Sequence, residues 1–219
     1  MRPTVTAVFF GFALLVLLPY GVQAASSQFP GGTSPSAKYL FFFHNLYVEN
    51  KGPDGDCKYH EILKSFSDRG YTVISEIRPK DSSVAEYARK AAVQVRSLLD
   101  AGVLPQNIAV TGHSKGAVLA LRVAAELGQP KIRYVVMAGC GIKGLEKAYP
   151  DFAALKGDFL SVYANSDKVA RSCGAEFAQA GSGFGGKELV LESAAGHQLF
   201  FKPEKRWVDP VAAWLEQGQ

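Results

Sequence analysis

Residues 108–120 read IAVTGHSKGAVLA: an apolar run leads into Gly-His-Ser-Lys-Gly and continues into further apolar residues. The run before Ser114 is typical of a buried strand, and the spacing of apolar residues after it is typical of a helix that ends at Gly128. Glycines at 112 and 116 let the neighbouring backbone pass close to the turn, so the serine hydroxyl stands clear of it. This stretch predicts a strand, a tight turn that presents Ser114, and a helix.

Strand and helix patterns alternate along the rest of the chain. Besides the strand before Ser114, strands are predicted at residues 39–43, 71–77, 132–138, 159–164 and 188–191. Helical spacing occurs around residues 59–66, from 83 to 102, and in a last segment that carries Val211, Trp214 and Leu215. Such alternation predicts an α/β fold in which helices cover both faces of a mostly parallel, open sheet.

A serine hydroxyl is a poor nucleophile at neutral pH unless a base lies within hydrogen-bond reach and a third group orients that base. Of the four histidines, His44 and His60 accompany the first strand and helix, and His113 lies inside the turn. His197 is the only histidine after Ser114, between the last predicted strand and the last helix. We therefore predict His197 as the base.

The aspartates between these two residues are Asp151, Asp158 and Asp167. Catalytic groups of open α/β sheets gather outside the carboxyl ends of the strands. Asp158 opens the strand at 159–164, whereas Asp167 follows its end, so we predict Asp167 as the group that orients the base.

The Gly-x-Ser-x-Gly turn, followed by Asp167 and then His197, resembles the α/β-hydrolase superfamily, and the likeness covers most of the chain after residue 37. The resemblance implies a sheet of about six strands, a triad of Ser114, His197 and Asp167, and an oxyanion hole. The hole would use the backbone N–H of Lys115 and a second N–H from the loop after the first strand.

In that loop, many relatives carry His-Gly where this chain has His44 and Asn45. Asparagine is the non-glycine residue that best tolerates positive φ. The second donor is therefore either Asn45 or Leu46.

The resemblance implies a small, secreted serine hydrolase that cleaves small-molecule esters, in the manner of a carboxylesterase. Thioesterase or amidase activity would use the same residues, and a catalytically silent member that uses the fold for binding is the alternative. Fewer than twenty residues separate Gly139 from Asp158, where larger relatives insert a lid domain, so an open site is expected.

Three further side chains near the turn are ambiguous. His44 either contacts substrate or makes a structural hydrogen bond, and His113 is a second candidate for substrate contact, although its side chain is expected to point away from Ser114. The side chain of Lys115 either steers anionic substrates or pairs with a carboxylate, but a solvated lysine is the favoured interpretation.

The three cysteines are Cys57, Cys140 and Cys173. Cys140 and Cys173 each follow a strand, and those strands should be neighbours, so they are the expected disulfide among three possible pairings; three unpaired thiols are the alternative. The spacing of Cys and His gives no zinc site. The glycine-rich residues 181–186 precede a strand, so they are interpreted as a surface loop and not as a dinucleotide site. Neither a metal nor a cofactor is therefore expected.

The N-terminus has the pattern of a secretory signal peptide over residues 1–24, with an apolar core at 7–18 and cleavage after Ala24. Residues 25–37 are predicted to be a flexible linker, and residues 38–219 a single α/β-hydrolase domain. A secreted or periplasmic location follows, with no membrane association after cleavage. The net charge of +4 comes from scattered basic residues, which gives no case for nucleic-acid binding.

Overall fold

The computed structural model describes Met1 and residues 32–217. Apart from Met1, the predicted signal peptide lies outside the described residues, as do residues 25–31 of the predicted linker and residues 218 and 219. Just before the first strand, a turn is closed by a hydrogen bond from the amide of Ala37 to the carbonyl of Ser34 (3.1 Å).

The described residues form one sheet and six α-helices. The strands are β1 (Lys38–Phe43), β2 (Tyr71–Ile74), β3 (Ile108–His113), β4 (Arg133–Met137), β5 (Gly157–Ala164) and β6 (Phe184–Leu191). The helices are α1 (Leu46–Lys51), α2 (Tyr59–Ser67), α3 (Val84–Asp100), α4 (Lys115–Leu127), α5 (Gly174–Phe177) and α6 (Lys205–Glu216).

The sheet is parallel throughout, with the strand order β2-β1-β3-β4-β5-β6. This confirms the predicted open, parallel sheet of about six strands. Every residue of β3 is buried, as expected for a central strand that is covered on both faces. Because β3 lies between β1 and β4, the turn that follows it emerges near the middle of the carboxyl edge of the sheet.

Two pairs of helices cover the sheet. α3 packs against α4, while α2 approaches α6 through the rings of Phe66 and Trp207, whose centroids are 6.3 Å apart. β2 lies on one side of β1 and the later strands on the other, so right-handed crossovers place α2 on the face opposite α3 and α4.

β2 is shorter than the predicted strand at 71–77. At its end, the hydroxyl of Ser75 donates a hydrogen bond to the backbone carbonyl of Phe42 (2.6 Å). A side chain replaces the backbone in bonding to β1 at this point, and the chain leaves the sheet.

β6 is longer than predicted, and the interpretation of residues 181–186 as a surface loop is wrong for its last three residues. Phe184 stacks on Phe159 of β5 with ring centroids 5.0 Å apart. Gly185 pairs with Asp158, and a Cβ at Gly185 would lie 2.7 Å from the carboxylate of Asp158. The glycines therefore belong to an edge strand that packs closely on its neighbour.

Candidate active site

Ser114 occupies a strained turn between β3 and α4. Its φ and ψ are 58° and −122°, a conformation that few non-glycine residues adopt. The flanking glycines make the turn sterically possible: a Cβ at Gly112 would lie 2.2 Å from the carbonyl oxygen of Gly116, and one at Gly116 would lie 2.0 Å from that of Phe43. The turn therefore has the geometry that the sequence predicted.

Ser114, His197 and Asp167 form a continuous hydrogen-bonded chain. The hydroxyl of Ser114 donates to Nε2 of His197 (2.8 Å), and Nδ1–H of His197 donates to Oδ2 of Asp167 (2.9 Å). This assignment of donors puts the imidazole proton on Nδ1 and leaves Nε2 free to accept a proton.

The carboxylate of Asp167 is fully buried, and its second oxygen is held by the chain that follows it. Oδ1 accepts hydrogen bonds from the amides of Val169 (2.7 Å) and Ala170 (2.9 Å). Burial by itself would raise the pKa of Asp167, but the hydrogen bonds from His197 and these amides hold that pKa below its ordinary value. The carboxylate is therefore ionised and fixed in orientation.

The loops that carry these side chains are joined to each other. Asp167 follows β5 and His197 follows β6, so both loops emerge at the same edge of the sheet as Ser114. Between them, the hydroxyl of Ser166 donates to the carbonyl of Ser193 (2.5 Å). Asp158, by contrast, lies at the amino end of β5, on the opposite edge.

A disulfide also supports this edge. It joins Cys140, after β4, to Cys173, beyond the Asp167 loop, and the amide of Arg171 donates to the carbonyl of Cys140 beside it (3.0 Å). Cys57 is a buried free thiol. The disulfide thus connects the segment that follows Asp167 to the exit of β4.

The loop after β1 contains both predicted candidates for the second oxyanion donor. Asn45 has a φ of −77°, so the positive φ expected of it is absent. It is instead the N-cap of α1: its Oδ1 accepts from the amide of Val48 (3.0 Å), while its Nδ2 donates to Nδ1 of His113 (2.9 Å). The side chain of Asn45 therefore fixes the loop against the strand that precedes Ser114.

The starts of α1 and α4, near Ser114, offer backbone N–H groups as hydrogen-bond donors. The first N–H groups of a helix have no partner within it, and Leu46 begins α1 as Lys115 begins α4. Both residues line a cavity with Asn45, Ser114 and His197. The residues that carry the hydroxyl and the candidate donors therefore border a common space.

That cavity has a volume of about 410 Å³ and mostly apolar walls. The side chains of Leu46 and Val169 are nearly half exposed in it. The rest of the lining comes from Tyr47, Phe201 and the segment after β4, residues 142–145, which includes Lys143.

His44 and His113 lie behind the cavity and not on its surface, since each is at most 2% exposed. Nε2 of His44 accepts from the amide of Arg78 (2.9 Å), and its Nδ1–H donates to the carbonyl of Asn45 (2.9 Å). Burial, with a smaller contribution from Arg78, lowers the pKa of His44 to about 4. The position is that of a neutral, structural imidazole, which does not match the candidate role in contacting substrate.

The ring of His113 packs against that of His197, with centroids 4.9 Å apart. Burial lowers the pKa of His113 well below its ordinary value, so this ring is neutral as well. It supports the back of the His197 imidazole and has no face toward the cavity.

The interpretation of Lys115 as a solvated side chain is wrong. Its ammonium group is buried and donates to Oε1 of Glu49 (2.6 Å) and to the carbonyl of Ser82 (2.7 Å). Sequence reasoning missed Glu49 because α1 was not predicted, and it missed the buried Arg78 beside it. The lysine directly after the serine was the available signal for a buried ion pair, but the glutamate that pairs with it lies 66 residues away.

Within residues 32–217, no helix combines the length and apolar character needed to cross a membrane. The same part of the chain contains no cluster of three or more side chains suited to hold a metal ion.

No family model matches this sequence, and no curated protein matches it in sequence. Several solved structures are similar in fold. A Klebsiella pneumoniae protein named as a dienelactone hydrolase superposes with a TM-score of 0.61 at 13% identity, covering 86% of this chain and 90% of its own. A variant of SOBER1 from Arabidopsis thaliana gives a TM-score of 0.58 at 13% identity, covering 82% of this chain and 99% of its own.

An esterase/lipase from an uncultured bacterium gives a TM-score of 0.57 at 15% identity, covering 85% of this chain and 78% of its own. At such low sequence identities, the structural similarity shows a common fold. The chain has the α/β-hydrolase fold.

Proposed function

We propose that this α/β-hydrolase-fold protein is a serine hydrolase that cleaves carboxylic esters. The observation that supports this most directly is the hydrogen-bonded chain from Ser114 through His197 to Asp167, at 2.8 and 2.9 Å. Solved structures with the same fold include proteins named as hydrolases and esterases, which also favours hydrolysis over a binding role.

The proposed reaction begins when Nε2 of His197 removes the proton of Ser114 as the serine oxygen attacks the ester carbonyl. Asp167 stabilises the imidazolium that forms. The oxyanion of the tetrahedral intermediate accepts hydrogen bonds from the N–H of Lys115 and from that of Asn45 or Leu46.

Collapse of this intermediate breaks the ester C–O bond, and the imidazolium donates its proton to the departing alcohol. Water then attacks the acyl-enzyme, again with His197 as the base, and the carboxylic acid leaves as Ser114 regains its proton.

The cavity supports a preference for substrates with an apolar group. Its walls beside Ser114 are mainly aliphatic and aromatic, and burying apolar surface there stabilises binding by about 25 cal/mol per Å². Esters with short or medium-length aliphatic acyl chains are the proposed substrates.

A fluorophosphonate probe tests the proposal, because it reacts covalently with an activated serine. The wild-type protein is expected to be labelled and to hydrolyse p-nitrophenyl butyrate, and Ser114→Ala is expected to lose both properties while keeping its circular dichroism spectrum. Ser161→Ala, a buried serine of β5, is the matched control and should retain labelling. Folded wild-type protein that is neither labelled nor active would exclude a serine hydrolase.

We also propose that the protein is exported. The signal-peptide pattern of residues 1–24 supports this, as does the disulfide between Cys140 and Cys173, because disulfides persist in oxidising compartments. Expression of the full chain with N-terminal sequencing of the exported product is expected to show a start at Ala25. A product that stays in the cytoplasm with Met1 intact would exclude export.

A further inference from the structure

A buried cluster of charges lies behind the loop after β1. Glu49 of α1 and Arg78 of the segment after β2 have side chains that are 0% and 2% exposed, and that of Lys115 is 9% exposed. Ion pairs of this kind are uncommon in protein interiors because removing charges from water is costly, and they persist where the geometry satisfies each group.

Glu49 is held from three directions. Its Oε1 accepts from Nζ of Lys115 (2.6 Å) and from the amide of Ser82 (3.1 Å), and its Oε2 accepts from the hydroxyl of Ser82 (2.9 Å). Nε of Arg78 lies 3.6 Å from Oε2. Burial raises the pKa of Glu49, but the hydrogen bonds from Lys115 and Ser82 outweigh this and keep its pKa below the ordinary value, so Glu49 is an anion.

Arg78 extends the cluster to the residue just before Asn45. One of its terminal nitrogens donates to the carbonyl of His44, and its backbone amide donates to the imidazole of the same residue (2.9 Å). The cluster therefore contacts the loop after β1 at His44 and the helix that follows it at Glu49.

Lys115 connects the cluster to the turn that carries Ser114. The residue directly follows Ser114, and its backbone N–H is one proposed oxyanion donor. Asn45, one candidate for the other donor, directly precedes the helix that carries Glu49, and Leu46, the second candidate, is the first residue of that helix. The Lys115–Glu49 ion pair thus joins the two chain segments whose N–H groups would form the oxyanion hole.

We propose that Glu49 and the side chain of Lys115 are positioning residues, which hold the two backbone donors of the oxyanion hole at a fixed separation. This inference rests on the proposed function. Glu49 does not line the cavity, and the ammonium group of Lys115 is bound to Glu49 and to the carbonyl of Ser82, so each residue acts through the backbone of its own helix.

The two donors of an oxyanion hole tolerate little displacement. Oxyanion donors act at 2.7–3.1 Å from the developing negative charge, and loss of one donor costs roughly 10²–10³-fold in turnover. Displacement by about 1 Å can cost about 10²-fold, so a loosened α1 would impair the transition state more than ground-state binding. A fall in kcat at nearly constant KM is the expected signature.

Three variants test the proposal. Glu49→Ala removes the carboxylate that accepts from Lys115, whereas Glu49→Gln keeps one oxygen that can accept the same hydrogen bond. Glu76→Ala is the matched control, because it breaks an exposed ion pair with Lys90 outside the cluster. If Glu49→Ala does not fold, the double variant Glu49→Leu/Lys115→Met replaces it, since apolar replacement of both partners of a buried pair is often tolerated.

The measurements are kcat and KM for p-nitrophenyl butyrate, with active sites counted by fluorophosphonate labelling. The inhibition constant of an alkyl trifluoromethyl ketone, which places an oxyanion in the hole, is measured alongside. Glu49→Ala is expected to lower kcat by about tenfold or more while KM changes by less than about twofold, and to raise the inhibition constant by a similar factor. Glu49→Gln should recover most of kcat, and Glu76→Ala should match the wild type.

A folded Glu49→Ala or double variant with kcat within about twofold of the wild type would overturn the proposal. Val211 is a buried residue of α6 that does not line the cavity. The proposal would also be overturned if Val211→Ala lost as much kcat as Glu49→Ala at a matched fall in Tm. A Glu49→Gln protein as impaired as Glu49→Ala would still support the proposal and would assign the positioning to the charge of the ion pair. Failure of the proposed function is distinct, because the wild-type protein itself would be unlabelled and inactive.

Discussion

Nε2 of His197 lies 2.8 Å from the hydroxyl oxygen of Ser114, although the two residues are 83 positions apart in the chain. The strand order explains this proximity: β3 lies at the centre of the sheet, and the loops after β5 and β6 bend toward it along the carboxyl edge. The packing of His113 against His197 then limits how far the imidazole can turn away from the serine.

Replacing Asp167 with asparagine should lower kcat strongly. The amide cannot stabilise the imidazolium and favours the wrong tautomer, so a loss of about 10³–10⁴-fold is expected, as for other triads of this kind. The measurement is p-nitrophenyl butyrate hydrolysis. Asp158→Asn, at the opposite end of β5, is the control; equal losses in the two variants would contradict a catalytic role for Asp167.

Stability should fall between pH 6.5 and pH 4 because of His44. The unfolded chain binds a proton at this side chain below about pH 6.5, whereas the folded protein binds it only below about pH 4, so acid favours unfolding in that interval. The contribution of His44 is about 3 kcal/mol, fully present above pH 6.5 and lost as the pH falls to about 4.

Urea denaturation of wild type and His44→Gln across this interval measures the effect. Glutamine can still accept a hydrogen bond but does not titrate, so the free energy of unfolding of the variant should depend less steeply on pH. Parallel pH dependences in the two proteins would contradict the assignment of a neutral, buried His44.

Reduction of the disulfide should destabilise the protein. Cys140 and Cys173 close a loop across a sequence separation of 33, for which chain entropy gives about 4 kcal/mol. Dithiothreitol is therefore expected to lower the Tm of the wild type but not that of a Cys140→Ala/Cys173→Ala variant. A wild-type Tm unaffected by reductant would show that the bond contributes nothing to stability.

The apolar cavity predicts a dependence on acyl chain length. Val169 is exposed in the cavity, so Val169→Asp should leave the fold intact while placing a charge against the acyl group. We expect kcat/KM for p-nitrophenyl hexanoate to fall by about tenfold and that for the acetate to change little, because burying a few methylene groups contributes about 0.8 kcal/mol each. Equal losses for both esters would place the acyl chain elsewhere.

Much of the architecture could be predicted from the chain itself. The Gly-His-Ser-Lys-Gly turn and the alternation of strand and helix patterns predicted the parallel sheet, since these signals depend on neighbouring residues only. The candidates Ser114, Asp167 and His197 followed from their order relative to the strands, and the structure brings them together.

The predictions that failed concern long-range contacts. The sequence favours a solvated Lys115 because nothing near it identifies Glu49 as its partner, and the positive φ expected for Asn45 is not needed in its role as an N-cap. The glycines after Phe184 have the pattern of a loop, yet packing against β5 makes them part of a strand.

Hydrophobic periodicity and the conformational needs of the turn at Ser114 are local properties, so the chain alone predicts the six strands and the four longer helices in their order. Which charges are buried, which histidines are neutral, and how the loop after β1 meets the start of α4 became clear only from the packing of the folded chain. Those outcomes depend on desolvation and on hydrogen bonds between residues distant in the chain, and neither is encoded in any short segment.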